Sequence, residues 1–327
     1  MALELGVLYD LRNPPWSGIT DLEVYSETLD HIAACEAMGF DVVWLTEHHF
    51  IEDGYLPSVL TMAAAVAART TRVTIGTAVL LLPLHDPLRV AEDAAVVDNL
   101  SGGRLRLGLG LGYKLEEFDA FGIDRRHRPG RFEEAVAVLR GAWADEPLSF
   151  HGSHFHFDAV PVTPKPAQQP IPIWVAGRAE APVRRAARIG DGLMGVSGEH
   201  LYRLFRDDWA ANGRAGTPSI CTFAFALPSD DPEKAETELG RFAAYRYDEY
   251  RQWYGQAGDL DTDRRRLEQP GPATSLFATD DQVRAMLDAY EAAGVTSVLW
   301  FATLPGTRPA ATLPFLERLI DIARGRR

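Results

Sequence analysis

The chain has 327 residues, of which 46% are hydrophobic and 24% charged, with 33 basic against 46 acidic side chains and a formal net charge of −13. Such an excess of carboxylates, without a basic stripe, argues against a nucleic-acid partner and against attraction to an anionic membrane. No run of roughly 18 apolar residues occurs, so no membrane span is expected. The opening MALELGVLYD carries no basic-then-apolar leader, and the two cysteines, Cys35 and Cys221, read as buried free thiols. A reduced, cytoplasmic setting is the expectation.

Short apolar runs alternate with helix-like stretches. LELGVLYD (3–10) reads as a strand, and TDLEVYSETLDHIAACEAMG as a helix capped by Thr20 and Glu23 and stopped at Gly39. FDVVWLTE (40–47) is a second strand, followed by an Ala-rich helix at 57–69. RVTIGTAVLLL (72–82) is a third strand. Asp86 and Pro87 then open a helix that ends near SGG (101–103). RLRLGLGLG (104–112) is a fourth strand, and helical segments follow at about 114–121 and 129–145. HGSHFHFDAV and PVTPKPAQQP, within 147–170, read as a small hairpin and a linker.

IPIWVAG (171–177), GLMGVS (192–197), SICTFAFAL (219–227) and VTSVLWFAT (295–303) bring the β runs to eight. Helices at 179–190 and 199–212 separate them, with another running from the Thr279/Gln282 capping box to Gly294. The charged stretch 231–268 reads as an irregular helical insertion, and 310–324 as the closing helix. Strands such as DVVWL and SVLWF are apolar throughout, which suits a parallel sheet buried on both faces. Eight such units predict a (β/α)8 TIM barrel, a single domain over 1–327. A doubly wound open sheet is the alternative.

In a barrel the chemistry collects where strands meet their following loops. That places Glu47, His48 and His49 of WLTEHHF at the mouth. A neutral imidazole exchanges a proton near pH 7, which favours a working role for at least one of the histidines. Neighbouring side chains on a strand point to opposite faces, and no spaced ligand set such as HExxH occurs, so no metal site is expected. The glycines at 108, 110 and 112 do not make a dinucleotide fingerprint, because Tyr113 stands where its last glycine belongs. They leave two readings open: a tight strand exit, or close approach of a flat ligand. At Gly177 a strand runs into a helix start, which suits an anion with Arg178 beside it, or is an ordinary turn.

WLTEHHF, VTIGTAVLLLPLHDPLRVAEDAAVVDNLSGGRLRLGLGLGYKLEEFDAFGID and IPIWVAGRAEAPVRRAARIGDG together resemble the bacterial luciferase-like flavin monooxygenases, over nearly the whole chain. The resemblance implies a TIM barrel with an insertion between strand 7 and the helix preceding strand 8, where 231–268 falls. It implies reduced FMN delivered by a separate reductase, and O₂ activated as a flavin C4a-hydroperoxide that oxygenates a small organic substrate. It also implies a homodimer. Carried over by position, His48 is the active-site histidine, with Glu47 fixing a ring tautomer. Ala78 and Val79 match a peptide often cis beneath the flavin ring, Gly110 and Tyr113 lie at the fourth strand exit, Gly177, Arg178 and Ala179 match the phosphate loop, and Ser197 falls near the flavin edge. Two positions depart from the pattern: Leu111 stands where luciferases carry arginine, and the phosphate loop reads GRAEAP.

A related branch uses the deazaflavin F420 and transfers hydride. Its long anionic tail needs a basic patch, for which Arg125, Arg126, Arg128 and Arg131 are candidates. A flavin-binding protein without oxygenase activity is a third reading, and a metal-dependent hydrolase a fourth. The insertion aromatics Phe242, Tyr245, Tyr247, Tyr250, Trp253 and Tyr254 either cap an apolar substrate or pack the insertion onto the barrel or onto a partner subunit.

Overall fold

The computed structural model describes residues 3–195, 198–257 and 276–325. Its strands are β1 (Glu4–Tyr9), β2 (Val42–Leu45), β3 (Thr74–Thr77), β4 (Leu105–Leu109), β5 (Leu148–His151), β6 (His156–Val160), β7 (Ile173–Ala176), β8 (Gly192–Met194), β9 (Ser219–Ala224), β10 (Leu227–Pro228), β11 (Phe277–Ala278) and β12 (Ser297–Phe301). Eight of them close a parallel barrel in the cyclic order β1, β2, β3, β4, β7, β8, β9, β12. The expected (β/α)8 architecture is therefore present. β5 and β6 pair as the expected antiparallel hairpin, and β10 and β11 form a short parallel pair.

The outer helices are α1 (Asp21–Met38), α2 (Val59–Arg69), α3 (Pro87–Ser101), α4 (Leu115–Ala120), α5 (Arg128–Ala142), α6 (Glu180–Ile189) and α7 (Glu199–Ala211). After the insertion come Asp280–Ala292 and the C-terminal Leu313–Gly325. Local chemistry sets their ends. Thr20 and Glu23 close a capping box on α1, and Gly39 ends it in the left-handed region at φ 103°. Thr279 and Gln282 repeat the box on the later helix, and Asp86 accepts from the amides of Leu88 and Arg89 at the start of α3.

The barrel interior is filled rather than open. Trp44 and Trp174 meet in it with ring centroids 5.6 Å apart. They fit because Gly6 and Gly76 face Trp44, and Gly192 faces Trp174; a Cβ at Gly76 would lie 2.1 Å from the indole. Arg106 stacks 4.3 Å from the Trp174 ring and binds Glu4 at 2.7 Å. Leu8, Ala78, Met194, Cys221 and Leu299 pack with the two indoles in one interior cluster. Cys35 and Cys221 are both free and buried. No helix among the described residues is long and apolar enough to cross a membrane.

The third β run departs from expectation. Only Thr74–Thr77 is strand, and AVLLL turns across the mouth instead of continuing. The Leu80 amide donates to Gly108 O and the Gly110 amide to Leu80 O. The Leu81 amide leaves the sheet altogether and donates to the Glu47 carboxylate at 2.7 Å. A buried carboxylate that needs donors has outcompeted ladder pairing.

One buried histidine belongs to the frame. The His31 ring lies between Tyr9 Oη at 2.8 Å and Thr312 Oγ1 at 3.1 Å, and burial pushes its pKa down to about 4. The folded state holds it neutral, whereas the unfolded chain takes up a proton below about pH 6.5. Its contribution to stability is therefore complete above that pH and is lost as pH falls toward 4. Urea unfolding of the protein and of His31→Gln at pH 7 and pH 5 should show the parent losing about 2 kcal/mol more than the variant over this interval.

Candidate active site

The exits of β2, β3, β4 and β7 are contiguous around the rim, because those strands are neighbours in the barrel. They bring together residues that lie far apart in the chain. β2 ends at Leu45, so Glu47, His48 and His49 lie beyond the strand. All three are buried, at 1%, 4% and 8% exposure. Their side chains nevertheless diverge into two separate networks.

The first network is centred on His48. Its Nδ1 lies 2.8 Å from Glu117 Oε1, and its Nε2 lies 3.0 Å from the Tyr113 hydroxyl. Glu117 comes from α4 and is fully buried; the same oxygen accepts the His49 amide at 2.8 Å. Glu117 Oε1, already accepting the His49 amide, accepts from Nδ1 as well, which leaves Nε2 to accept from Tyr113. Tyr55, Trp253 and Tyr113 enclose the ring, at centroid distances of 4.9, 4.9 and 5.3 Å.

Glu47 organises the second network. The rings it holds are those of His49 and His85. Oε1 lies 2.8 Å from His49 Nε2 and 2.7 Å from His85 Nε2; Oε2 accepts from the Leu81 amide. Burial alone would raise its pKa, yet the bonds from His49 and His85 outweigh this and hold it at about 2. His85 moves the other way: burial lowers its pKa, but the bond to Glu47 prevails and raises it.

The insertion covers the mouth. Its helix, α8, runs unbroken over Pro232–Ala257, and the rest of the stretch read as irregular lies in 258–275, outside the described residues. Buried Arg246 donates to Asp10 at 2.7 Å and to Thr303 O at 2.7 Å, with its guanidinium 4.0 Å above the Phe301 ring. Tyr245 donates to Asp53 at 3.1 Å, and the Tyr250 hydroxyl meets that of Tyr55 at 2.6 Å. Trp253 then falls on His48. Arg12 lies beneath, bound to Asp53 at 2.6 Å and 4.9 Å from the Tyr245 ring. Of the insertion aromatics, Phe242, Tyr245, Tyr250 and Trp253 pack here, while the side chains of Tyr247 and Tyr254 lie outside the description.

The remaining positions read from sequence fall on the same rim. Ala78 is buried, Val79 half-buried, and the peptide between them is cis. Gly110 packs against Val79, whose Cγ2 would stand 2.4 Å from a Cβ at that glycine. Gly177 is buried against Pro182, and Arg178 and Ala179 are exposed where α6 begins. Ala179 caps α6 without a side-chain bond, so the cap supplies no side-chain acceptor to the first-turn amides. Ser197 lies outside the described residues. Val79, Phe223 and Phe301 remain half-buried around the opening, and Phe225 is exposed beside Phe301.

Several partners had no sequence signal. Glu117 is one of two adjacent acids in KLEEF, and only its burial beside Phe118 distinguishes it. His85 precedes a helix cap and looks like ordinary loop. Arg246 is one of many charges in the insertion.

Removing Arg246 would take from buried Asp10 its guanidinium donors and leave it, among the described residues, only the Arg12 amide and the nearby Arg12 charge. Arg246→Met should lower unfolding free energy by about 3 kcal/mol in urea titration; an equally stable variant would contradict its anchoring role.

The luciferase-like monooxygenase family model matches residues 3–297. An uncharacterised protein, y4wF, of Sinorhizobium fredii is 35% identical over 202 residues, covering 62% of this chain and 59% of its own length. An F420-dependent glucose-6-phosphate dehydrogenase of Kineococcus radiotolerans is 33% identical over 231 residues, covering 66% of this chain and 67% of its own. The chain thus spans between about half and two thirds of the curated relatives it matches. The crystal structure of monooxygenase RslO1 from Streptomyces bottropensis superposes with a TM-score of 0.85, at 26% identity and 99% coverage of both chains. With the barrel, the order of its motifs and a match across almost its full length, the chain belongs to the luciferase-like monooxygenase family.

Proposed function

We propose that the protein is a flavin-dependent monooxygenase that uses reduced FMN, received from a separate reductase, to oxygenate a small, largely apolar substrate. The observation that carries this reading is the Glu117–His48–Tyr113 chain, which ends at the barrel mouth beside a half-buried apolar surface. The residues present fit a flat ring with an anionic tail. Val79, Phe223 and Phe301 offer an apolar bed for the ring, and the start of α6 with Arg178 offers donors for a phosphate. When bound, reduced FMN would supply the electrons for oxygen activation.

The chain's own residues handle the proton. Tyr113 donates to His48 Nε2. A proton taken up at the Tyr113 oxygen passes to His48 Nε2, and Glu117 stabilises the imidazolium at Nδ1. Return of that proton runs along the same two bonds. Trp253, Tyr55 and Tyr250 shield the ring from water, which strengthens each of these interactions. A homodimer in the cytoplasm is the expected working state.

The alternative is hydride transfer with F420, favoured by the Kineococcus relative. The arginines once suited to its tail are partly engaged, which supports FMN instead: Arg126 binds Asp124 at 2.6 Å, and Arg131 donates to Pro83 O at 3.3 Å.

Titrating the purified protein with FMN, reduced FMN and F420 decides between them. Tight binding of reduced FMN with substrate-coupled O₂ uptake supports the proposal; tight F420 binding without affinity for reduced FMN overturns it. Tyr113→Phe should lower kcat about 100-fold while flavin affinity changes little, and Glu117→Gln should shift the pH profile of kcat. Unaltered kcat and profile in both would remove the chain from the mechanism. Arg178→Ala should weaken FMN about tenfold and leave riboflavin binding unchanged, as measured by fluorescence quenching.

A further inference from the structure

The geometry points to a divalent transition-metal site at Glu47, His49 and His85, behind the His48 network and independent of the flavin reading. Three donors from two loops converge there. Oε1 of Glu47 faces the Nε2 atoms of His49 and His85 at 2.8 and 2.7 Å, and all the ligand atoms lie within 4.8 Å of one another. Neither imidazole is shared with the proton chain, since His48 has its own partners in Glu117 and Tyr113.

The donor set selects the ion. Two imidazoles and one carboxylate suit a borderline cation such as Zn²⁺ or Co²⁺ and are poor for Ca²⁺ or Mg²⁺, which take oxygen ligands. Metal–ligand bonds of about 2.0–2.1 Å put tetrahedral donors roughly 3.3 Å apart. The two Glu47–histidine contacts would open by about half an ångström to admit the ion, and the two Nε2 atoms, within 4.8 Å of each other, would settle to the same spacing. A second contact already orients the carboxylate: the Leu81 amide holds Oε2 and leaves Oε1 to the histidines. Glu47 is fully buried, so its charge is poorly screened and calls for a cationic partner.

The site also has an entrance and room for further ligands. His85 is about one-third exposed at its side chain. It lines an open cavity of about 550 Å³ between α2 and α3, with Asp86 and Asp93 on the same wall. Water from this cavity would complete the coordination. Binding would displace to solvent the protons that the two Nε2 atoms now share with Glu47. The ion would then tie the loop after β2, which carries His48, to the loop before α3.

Dialysis against chelator followed by Co²⁺ titration at pH 7.5, read by visible absorption and by metal content after gel filtration, tests the site. The expected result is one tightly held equivalent with d–d bands of a four- or five-coordinate nitrogen–oxygen site. His85→Gln keeps a donor for Glu47 but removes the imidazole, and should weaken Co²⁺ at least tenfold with the fold intact by circular dichroism. The exposed hairpin pair His151 and His156, with rings 6.0 Å apart, is the competing locus, so a His151→Ala/His156→Ala variant should bind as the parent does. Absence of stoichiometric binding overturns the assignment, as does binding that survives His85→Gln or disappears in the hairpin variant.

Discussion

Two acidic side chains, Glu47 and Glu117, are buried at the mouth of the barrel, and polar oxygens out of water need hydrogen-bond donors. Much of the local architecture answers that demand. The loop after β3 bends across the mouth and gives Glu47 the Leu81 amide. The loop before α3 turns His85 inward to the same group. The loop after β2 gives Glu117 both the His48 ring and the His49 amide. Each acid thereby pulls in a different histidine of the pair, so the backbone of EHH is held at both sides.

The insertion is fastened by the same kind of chemistry. Arg246 and Tyr245 enter the barrel rim and meet Asp10 and Asp53, which follow β1 and β2. These bonds fix where α8 lies, and hence where Tyr250 and Trp253 reach His48. Aromatic side chains then do two jobs: they fill the space over the histidine, and they keep water from competing for its hydrogen bonds. Arg12, stacked among Tyr245, Trp253 and Tyr55, ties the two layers together.

The barrel below is built for rigidity rather than access. Trp44, Trp174 and Arg106 close the interior, and glycines on neighbouring strands make the space for those rings. Chemistry is thereby confined to the strand C-termini, where the exits of β2, β3, β4 and β7 form one arc. Half-buried apolar side chains, the Glu117–His48–Tyr113 chain and the start of α6 all fall on that arc, and these are the features on which the proposed flavin reading rests.

Much of this was legible in the residues. Periodicity, the two capping boxes and the eight apolar runs determined the barrel, because those signals arise from contacts within one element. The strand-end rule put EHH at the mouth for the same reason. Sequence also separated His48 from His49, although by strand alternation, whereas the rings in fact part because two different acids claim them. What only the tertiary structure decided were the partners: Glu117 for His48, His85 beside Glu47, and Asp10 beneath Arg246 of the insertion. These pairs are separated by 69, 38 and 236 residues. Whether a charged side chain in such a chain faces solvent or completes a buried carboxylate depends on what the rest of the fold brings against it, and no local pattern records that.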